Sequence, residues 1–277
     1  MGYPNIIKAV NRKLTPNIVT SSCPFSRFDK FNFGARMALL KYDNEILVWS
    51  PIPFGKEVVD ALNVLNGTTG KEAESFNLKY LIIPDREHTL AAKSFKKVYP
   101  SLSIISMETV DLGDVKIDHV ITSKYGNKKI DKKVLEEIGI LDPFIVNNFE
   151  FVYLPFHANK ELVLYDKNSK IVFAADIIFN LGVRGTTNKS VTLEQYSPET
   201  GYTNFNPHLG WSYFTRYLQP YSSVGNYLAR SVMNTSKSSE GLKAIDTWDF
   251  DTWVMCHGNV LEKNGKQAFE NIFHSVL

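Results

Sequence analysis

Residues 151–176 read FVYLPFHANKELVLYDKNSKIVFAAD, which is three short apolar runs separated by polar residues. The first run ends at Pro155, and His157 follows it. The other two runs flank residues 166–169 (DKNS), whose composition is typical of a β-turn, and the second of them ends at Asp176. This stretch predicts a strand, a loop with a histidine and a β-hairpin, so that an imidazole and a carboxylate each follow a strand.

Two further donor side chains follow apolar runs elsewhere in the chain. His88 comes after LKYLIIP, and His257 comes directly after TWVMC. Each residue alone also fits a simple turn or a helix cap. Strands that end in imidazole or carboxylate groups, however, direct such groups from a rigid sheet into one pocket. A hydrolytic metal site uses mixed donors of this kind and leaves one position for water, so the four donors together predict a metal site.

The rest of the chain alternates between predicted strands and helices, which indicates an α/β architecture. Apolar spacing predicts a hairpin around 42–45, a helix at 56–65, a strand at 78–83, helices at 89–98 and 131–138, a strand at 251–255 and a helix at 266–276. Residues 183–241 are rich in Thr, Ser, Asn, Tyr and Gly, and we expect a long insertion there. We therefore predict one domain over residues 1–277.

Five stretches resemble motifs of the metallo-β-lactamase superfamily, and they are spread over most of the chain. They are ILVWSPIP, IIPDREH, VYLPFH, FAADIIFN and CHGNV. The likeness is to a poorly characterised metallo-β-lactamase-like branch, of hydrolase or oxidoreductase type. It implies an α/β (α+β) fold in the form of a four-layer αββα sandwich. It also implies that His157 and His257 are metal ligands and that Asp176 is the metal-bridging carboxylate.

The first metal motif departs from the superfamily pattern, because PDREH stands where HxHxDH is usual. If His88 matches the last His of that motif, Glu87 matches its Asp, and Asp85 and Ile83 match its other two His. Only His88 fixes this register. The resemblance therefore implies a degenerate site that has lost two imidazoles.

We expect such a site to hold one divalent ion or none. The expected ligands are Glu87, His88, Asp176 and His257, with His157 completing or flanking the site. Zinc is the first choice, with iron and manganese as alternatives. Glu87 and Asp176 are the candidate catalytic residues, and Glu87 is also a candidate general base. Cys256 precedes His257, but neighbouring strand residues face opposite sides, so we expect a buried structural cysteine.

Two functions follow from these expectations. The first is a metal-dependent hydrolase in which one metal-bound water attacks the carbonyl of a small ester, thioester or lactone. The alternative is a protein that keeps the fold but has lost catalysis and serves as a ligand-binding or scaffolding module.

The overall composition limits the classes of binding partner that we expect. Lysine and arginine total 31 against 29 aspartates and glutamates, so the net charge of +2 does not favour nucleic acid or an anionic membrane as a partner. With only two cysteines and no signal-peptide pattern, the sequence predicts a cytoplasmic protein. A small molecule is the expected partner, and a homo-oligomer is compatible with the sequence.

Overall fold

Two β-sheets form the centre of the molecule in the computed structural model, which describes residues 2–182 and 193–277. The described strands are β1 (Val10–Thr15), β2 (Ile18–Cys23), β3 (Ser26–Arg27), β4 (Phe31–Asn32), β5 (Ala35–Tyr42), β6 (Glu45–Trp49), β7 (Leu78–Ile82), β8 (Ser103–Met107), β9 (His119–Ile121), β10 (Lys129–Ile130), β11 (Phe149–Leu154), β12 (Glu161–Asp166), β13 (Ile171–Phe173) and β14 (Thr252–Val254). One sheet has the order β1-β2-β5-β6-β7-β8-β9, the other has the order β10-β11-β12-β13-β14, and β3 pairs with β4 alone.

Helices cover the outer faces and one end of these sheets. The described α-helices are α1 (Lys56–Asn66), α2 (Ala92–Val98), α3 (Lys132–Ile138), α4 (Pro143–Asn148), α5 (Ser223–Met233), α6 (Thr235–Asp246) and α7 (Gly265–Phe273). Short 3₁₀ helices lie at Ala73–Ser75, Ser123–Tyr125, Glu194–Tyr196, Pro198–Thr200 and Gly210–Tyr217. Over the described ranges, none of these helices has the length and apolar character needed to cross a bilayer.

Over the described residues, three of the apolar clusters lie between the four layers. The central core lies between the two sheets, where the rings of Trp49 and Phe173 pack with their centroids 5.6 Å apart. A second core joins the larger sheet to α1 and α2 and includes Val58 and Phe95. A third joins the smaller sheet to α6 and α7 and includes Phe269. The order helix, sheet, sheet, helix confirms the αββα sandwich predicted from the sequence.

Turn and cap residues in the sequence predicted the ends of two helices correctly. Helix α1 ends at Asn66, and Gly67 follows it with a φ of 63°, the left-handed conformation that glycine adopts without strain. Helix α3 begins after Asp131, whose side chain accepts a hydrogen bond from the Val134 N–H, and ends before Gly139 at a φ of 90°.

Other predicted boundaries were wrong. Helix α2 begins at Ala92 rather than at residue 89, because residues 85–91 form turns in front of it. Helix α7 ends at Phe273 rather than at 276. The insertion predicted at 183–241 falls partly outside the described residues, at 183–192, and its extent stays a prediction. Its described part contains 3₁₀ helices, α5 and much of α6.

Strand pairing brings the chain segments with the donor residues together. Phe173 of β13 lies opposite Val254 of β14 in a parallel pair, and Asp176 and His257 follow at equal distances along the chain. Parallel strands end at the same edge of a sheet, so these two residues reach one place. From the other sheet, the loop after β7 is joined to β12 because the Leu162 N–H donates to the Pro84 carbonyl at 2.7 Å.

Candidate metal centre

Three of the predicted donors meet at one edge of the sandwich. His88, Asp176 and His257 each offer a ligand atom, and these atoms all lie within 4.8 Å of one another. We call this set the triad. It combines two imidazoles with one carboxylate and draws on loops from both sheets. The prediction that His88, Asp176 and His257 converge therefore agrees with the geometry.

His88 is oriented by Asp85, three residues earlier. Asp85 is fully buried, and its Oδ1 accepts hydrogen bonds from the backbone N–H of Glu87 and of His88, at 2.7 and 2.9 Å. Its Oδ2 lies 2.7 Å from Nδ1 of His88. The carboxylate fixes the proton of His88 on Nδ1, which leaves Nε2 as the nitrogen available to a metal.

His257 is oriented in the same sense by a backbone carbonyl. Its Nδ1 donates to the Gly34 carbonyl at 2.7 Å, so its Nε2 is the free nitrogen. The Phe179 ring stacks on the imidazole with centroids 5.5 Å apart, and the Phe33 ring meets it edge-on at 5.4 Å. These contacts hold the ring in one plane.

Asp176 presents a single oxygen to the triad. Its Oδ2 accepts a hydrogen bond of 2.5 Å from the Asn159 side-chain amide, and its backbone N–H donates to the buried carboxyl of Glu161. Its Oδ1 lies 3.2 Å from Nε2 of His257 but without hydrogen-bond alignment, and it is buried without a hydrogen-bond partner. Such a buried carboxylate oxygen is costly unless something binds it.

The donor set fits a divalent metal ion. Two ligand atoms that each lie about 2.1 Å from one ion are about 3 to 3.5 Å apart, which matches the separation of Asp176 Oδ1 and His257 Nε2. Two histidines and one carboxylate are a recurrent ligand set for zinc and for non-haem iron, and they leave positions open. The buried Oδ1 of Asp176, which has no hydrogen-bond partner, is a further reason why these residues suit an ion.

Burial and charge shift the pKa values of the buried acids and bases. Burial alone lowers the pKa of His88, but the adjacent Asp85 carboxylate raises it well above its ordinary value. Burial would raise the pKa of Asp176, yet contact with His257 and the charge of His88 hold it well below its ordinary range. The pKa of Glu161 lies well above its ordinary value, because it is buried beside Asp85 and Asp176. Burial beside two acids thus favours the protonated form of Glu161, whereas the neighbouring imidazoles favour the ionised form of Asp176.

Glu87 and His157 lie outside the triad. The Glu87 carboxylate forms a salt bridge with Arg27, whose Nη1 lies 2.8 Å from its Oε2. His157 is buried, its Nδ1 accepts a hydrogen bond from the Asn159 backbone N–H at 3.2 Å, and burial lowers its pKa. The structure thus separates these two from the other three donors, and their roles as ligands stay predictions.

Several supporting residues were missed from the sequence. Asp85 was assigned only a position in the degenerate motif, although an Asp two and three residues before backbone N–H groups is a recognisable turn signal. Glu161 is the first residue of an apolar strand, where a fully buried acid is unusual.

A buried ion pair was also missed. Arg36 and Glu194 lie 2.7 Å apart, and Arg36 also donates to the Met255 carbonyl just before the His257 loop. Nothing local in the sequence marks that long-range pair.

Cys256 is fully buried, as predicted, and its Sγ lies 3.0 Å from Oγ of Ser50. Burial raises the pKa of Cys256, so the sulfur remains a thiol rather than a nucleophilic thiolate. His208 is also buried and contacts Thr215 Oγ1 at 3.1 Å, apart from the triad.

The triad lines a cavity of about 610 Å³. Much of its wall is apolar, and it includes Tyr3, Phe25, Phe33, Phe179, Leu228 and Val232. Arg27, Glu87 and Asn159 line it as well. A cavity of this size is typical of small-molecule sites.

Comparison with known proteins identifies the fold. No protein-family model matches the chain, and neither does any curated protein sequence. Solved structures do match. The metallo-β-lactamase of Hirschia baltica superposes with a TM-score of 0.56 at 9% identity, over 96% of this chain and 97% of that one. The metallo-β-lactamase FIM-1 of Pseudomonas aeruginosa, in its mono-zinc form, gives 0.52 at 7% identity, over 98% and 96%.

A flavodiiron core shares the same architecture. The metal-soaked flavodiiron core Flv1 of Synechocystis sp. PCC6803 matches with a TM-score of 0.56 at 15% identity, over 97% of this chain and 60% of that one. Identities this low establish architecture and not activity. The layer order, the strand-end triad and these superpositions lead to one conclusion: the chain has the metallo-β-lactamase fold.

Proposed function

We propose that this protein is a metal-dependent hydrolase of a small ester, thioester or lactone, and that His88, Asp176 and His257 hold one divalent ion. One observation carries the proposal. Both imidazoles have Nδ1 anchored on an acceptor, Asp85 or Gly34, and Asp176 Oδ1 is buried beside them without a hydrogen bond. Two imidazoles and one carboxylate favour zinc, with iron or manganese as alternatives.

The protein side chains prepare the site for this chemistry. A divalent ion bound there would polarise a substrate carbonyl and lower the pKa of a water molecule. Asp85 and the Gly34 carbonyl keep both histidines in one tautomer, and Asn159 holds the Asp176 carboxylate in place. The lowered pKa of Asp176 makes it a weak base, which suits a ligand better than a proton acceptor.

Glu87 is the proposed general base. It lines the same cavity as the triad, and its carboxylate takes up a water proton once it leaves Arg27. Both partners of that salt bridge are more than one third exposed, and exposed pairs contribute only about 0–1 kcal/mol, so separation is inexpensive. Phe33 and Phe179 limit the access of bulk water on the side of His257.

Elemental analysis of purified protein tests the metal site. We expect about one zinc, iron or manganese per chain after metal-supplemented expression, and loss of that ion in Asp176→Ala and in His257→Ala. His274→Ala is the matched control, because His274 is an exposed imidazole beyond α7. Circular dichroism checks that each variant is folded. Absence of any stoichiometric metal in the unaltered protein contradicts the proposal.

A non-catalytic ligand-binding protein is the second candidate, and the Arg27–Glu87 salt bridge favours it by occupying the proposed base. The two candidates differ in turnover. A metal-loaded protein that hydrolyses esters, thioesters or lactones, and loses most of that rate in Glu87→Gln, supports the hydrolase. A metal-loaded protein that binds such compounds without hydrolysing any of them supports the second candidate.

A further inference from the structure

The residues that line the cavity in front of the triad indicate a class of substrate. We infer that the substrate is a carbonyl compound with an apolar acyl chain, and that this chain lies in the cavity while its carbonyl lies at the triad. The inference rests on the proposed hydrolase function and specifies its substrate class. Three features of the cavity support it: exposed apolar surface, the absence of free charge among the lining residues that the structure describes, and the cavity volume.

Apolar side chains in the cavity wall remain exposed. Phe28 is 57% exposed and Leu90 61%, while Leu228 and Val232 of α5 are 42% and 41% exposed. Water against such surfaces is unfavourable, and contiguous apolar patches of this kind mark binding sites. A hydrocarbon chain in the cavity would cover all four.

The described wall offers no free charge to a second ionic group. Away from the triad, its charged side chains are Arg27 and Glu87, and these neutralise each other. Gln219 and Asn226 are polar but uncharged. A phosphodiester or a dicarboxylate would find no uncompensated cation there, whereas a neutral chain needs none.

The volume also exceeds what a very small acyl group requires. At about 610 Å³ the cavity lies in the middle of the range for sites that enclose drug-sized molecules, about 300–1,000 Å³. An acetyl group would leave most of the apolar wall in contact with water. A longer chain would fill the space and gain affinity with each added methylene.

Substitutions in helix α5 can test whether the cavity wall binds an apolar chain. Leu228, Ala229 and Val232 lie on the cavity side of α5, and Val224 of the same helix is 55% exposed but does not line the cavity. Val232→Gln places an amide in the wall, and Ala229→Leu reduces its volume. Val224→Gln is the matched control for a Val-to-Gln change on this helix.

The binding experiment uses isothermal titration calorimetry of butanoate, hexanoate, octanoate and decanoate with the zinc-loaded protein. We expect affinity to rise about fourfold per methylene until the cavity is full, as burial of each CH₂ predicts. Val232→Gln should flatten this increase, Ala229→Leu should weaken decanoate more than butanoate, and Val224→Gln should leave both unchanged. Affinity that is independent of chain length overturns the inference.

Hydrolysis of the matching ethyl esters separates this inference from the proposed function. Turnover whose kcat/KM rises with chain length supports both. Turnover that does not depend on chain length overturns the apolar-chain assignment and leaves the hydrolase standing. Length-dependent binding of the carboxylates without turnover of any ester supports the apolar-chain site and overturns the hydrolase.

Discussion

Asp85 illustrates how one side chain can set the chemistry of another. Its two oxygens hold both the backbone of the loop after β7 and the His88 ring. A ligand histidine depends on such a partner for its tautomer and its orientation. If PDREH takes the place of the superfamily's first metal motif, as the sequence resemblance implies, then an acid at one of the two lost imidazole positions supports the remaining histidine.

Asp85→Asn should weaken zinc binding about 10- to 100-fold, measured by competition with a chelating indicator. The amide would donate to Nδ1 of His88 and so place the proton on Nε2, the atom needed by the metal. Asp111→Asn is the matched control, because Asp111 Oδ1 makes a similar turn bond to the Gly113 N–H on an exposed loop. Equal zinc affinity in Asp85→Asn and the unaltered protein would contradict the assigned role.

Gly258 is a second position where one residue type is required. Its φ is +90°, and a Cβ there would lie 2.1 Å from the Asn180 carbonyl oxygen. Gly258→Ala should therefore lower the free energy of unfolding by about 2–4 kcal/mol, as measured by urea titration. Gly67 also has a positive φ, but a Cβ there would meet no other atom. Gly67→Ala should therefore lower the free energy of unfolding by only about 1 kcal/mol. Equal losses in the two variants would show that the contact with Asn180 is unimportant.

Among the elements, the end of β14 is held by a buried ion pair. Arg36 of β5 donates to the Met255 carbonyl and pairs with Glu194, and Arg12 of β1 pairs with the same carboxylate. Burial acts to raise the pKa of Glu194, but the two arginines lower it to about 2. A group whose pKa is depressed on folding stabilises the protein above its unfolded pKa and loses that contribution as the pH falls.

The free energy of unfolding should therefore decrease by up to about 3 kcal/mol through Glu194 as the pH falls from about 4.5 to about 2. Urea titrations at several pH values measure this slope. Glu194→Gln should be less stable near neutral pH and should show a shallower loss in acid. Glu240→Gln, which removes an exposed carboxylate, is the control and should keep the original slope. An unchanged slope in Glu194→Gln would contradict the prediction.

The elements also show what the sequence could predict. Helix α1 and the strands before Asp176 and His257 were visible because their apolar spacing and turn residues are local. Helix α5 was not assigned, because residues 183–241 were predicted to be an insertion rich in polar and small residues; the helix exposes Val224, Tyr227 and Leu228. The three convergent donors followed from strand-end placement. The position of Glu87 could not be predicted in this way, because its salt-bridge partner Arg27 belongs to β3, which is far away along the chain.

At the scale of the whole molecule, the triad joins the two sheets. His88 follows β7 of the larger sheet, whereas Asp176 and His257 follow β13 and β14 of the smaller one. An ion bound by all three would connect the halves of the sandwich in the folded state and would be lost on unfolding. Metal binding should therefore stabilise the whole fold and not only the loops.

Zinc at 100 times its dissociation constant should add about 2.7 kcal/mol to the free energy of unfolding, or about 5–10 °C to the Tm. Differential scanning calorimetry with excess zinc and after chelation measures the difference. The increment should vanish in His257→Ala and persist in His274→Ala. An equal increment in His257→Ala would indicate that zinc binds elsewhere.

The parallel register of β13 and β14 has a consequence for how this protein can diversify. Backbone pairing of Phe173 with Val254 aligns Asp176 and His257, whereas α5, which lies between them in the chain, shapes the cavity. If the proposed function holds, metal retention and substrate choice depend on different parts of the polypeptide. We then expect mutations in α5 to change substrate preference while Asp176 and His257 stay aligned.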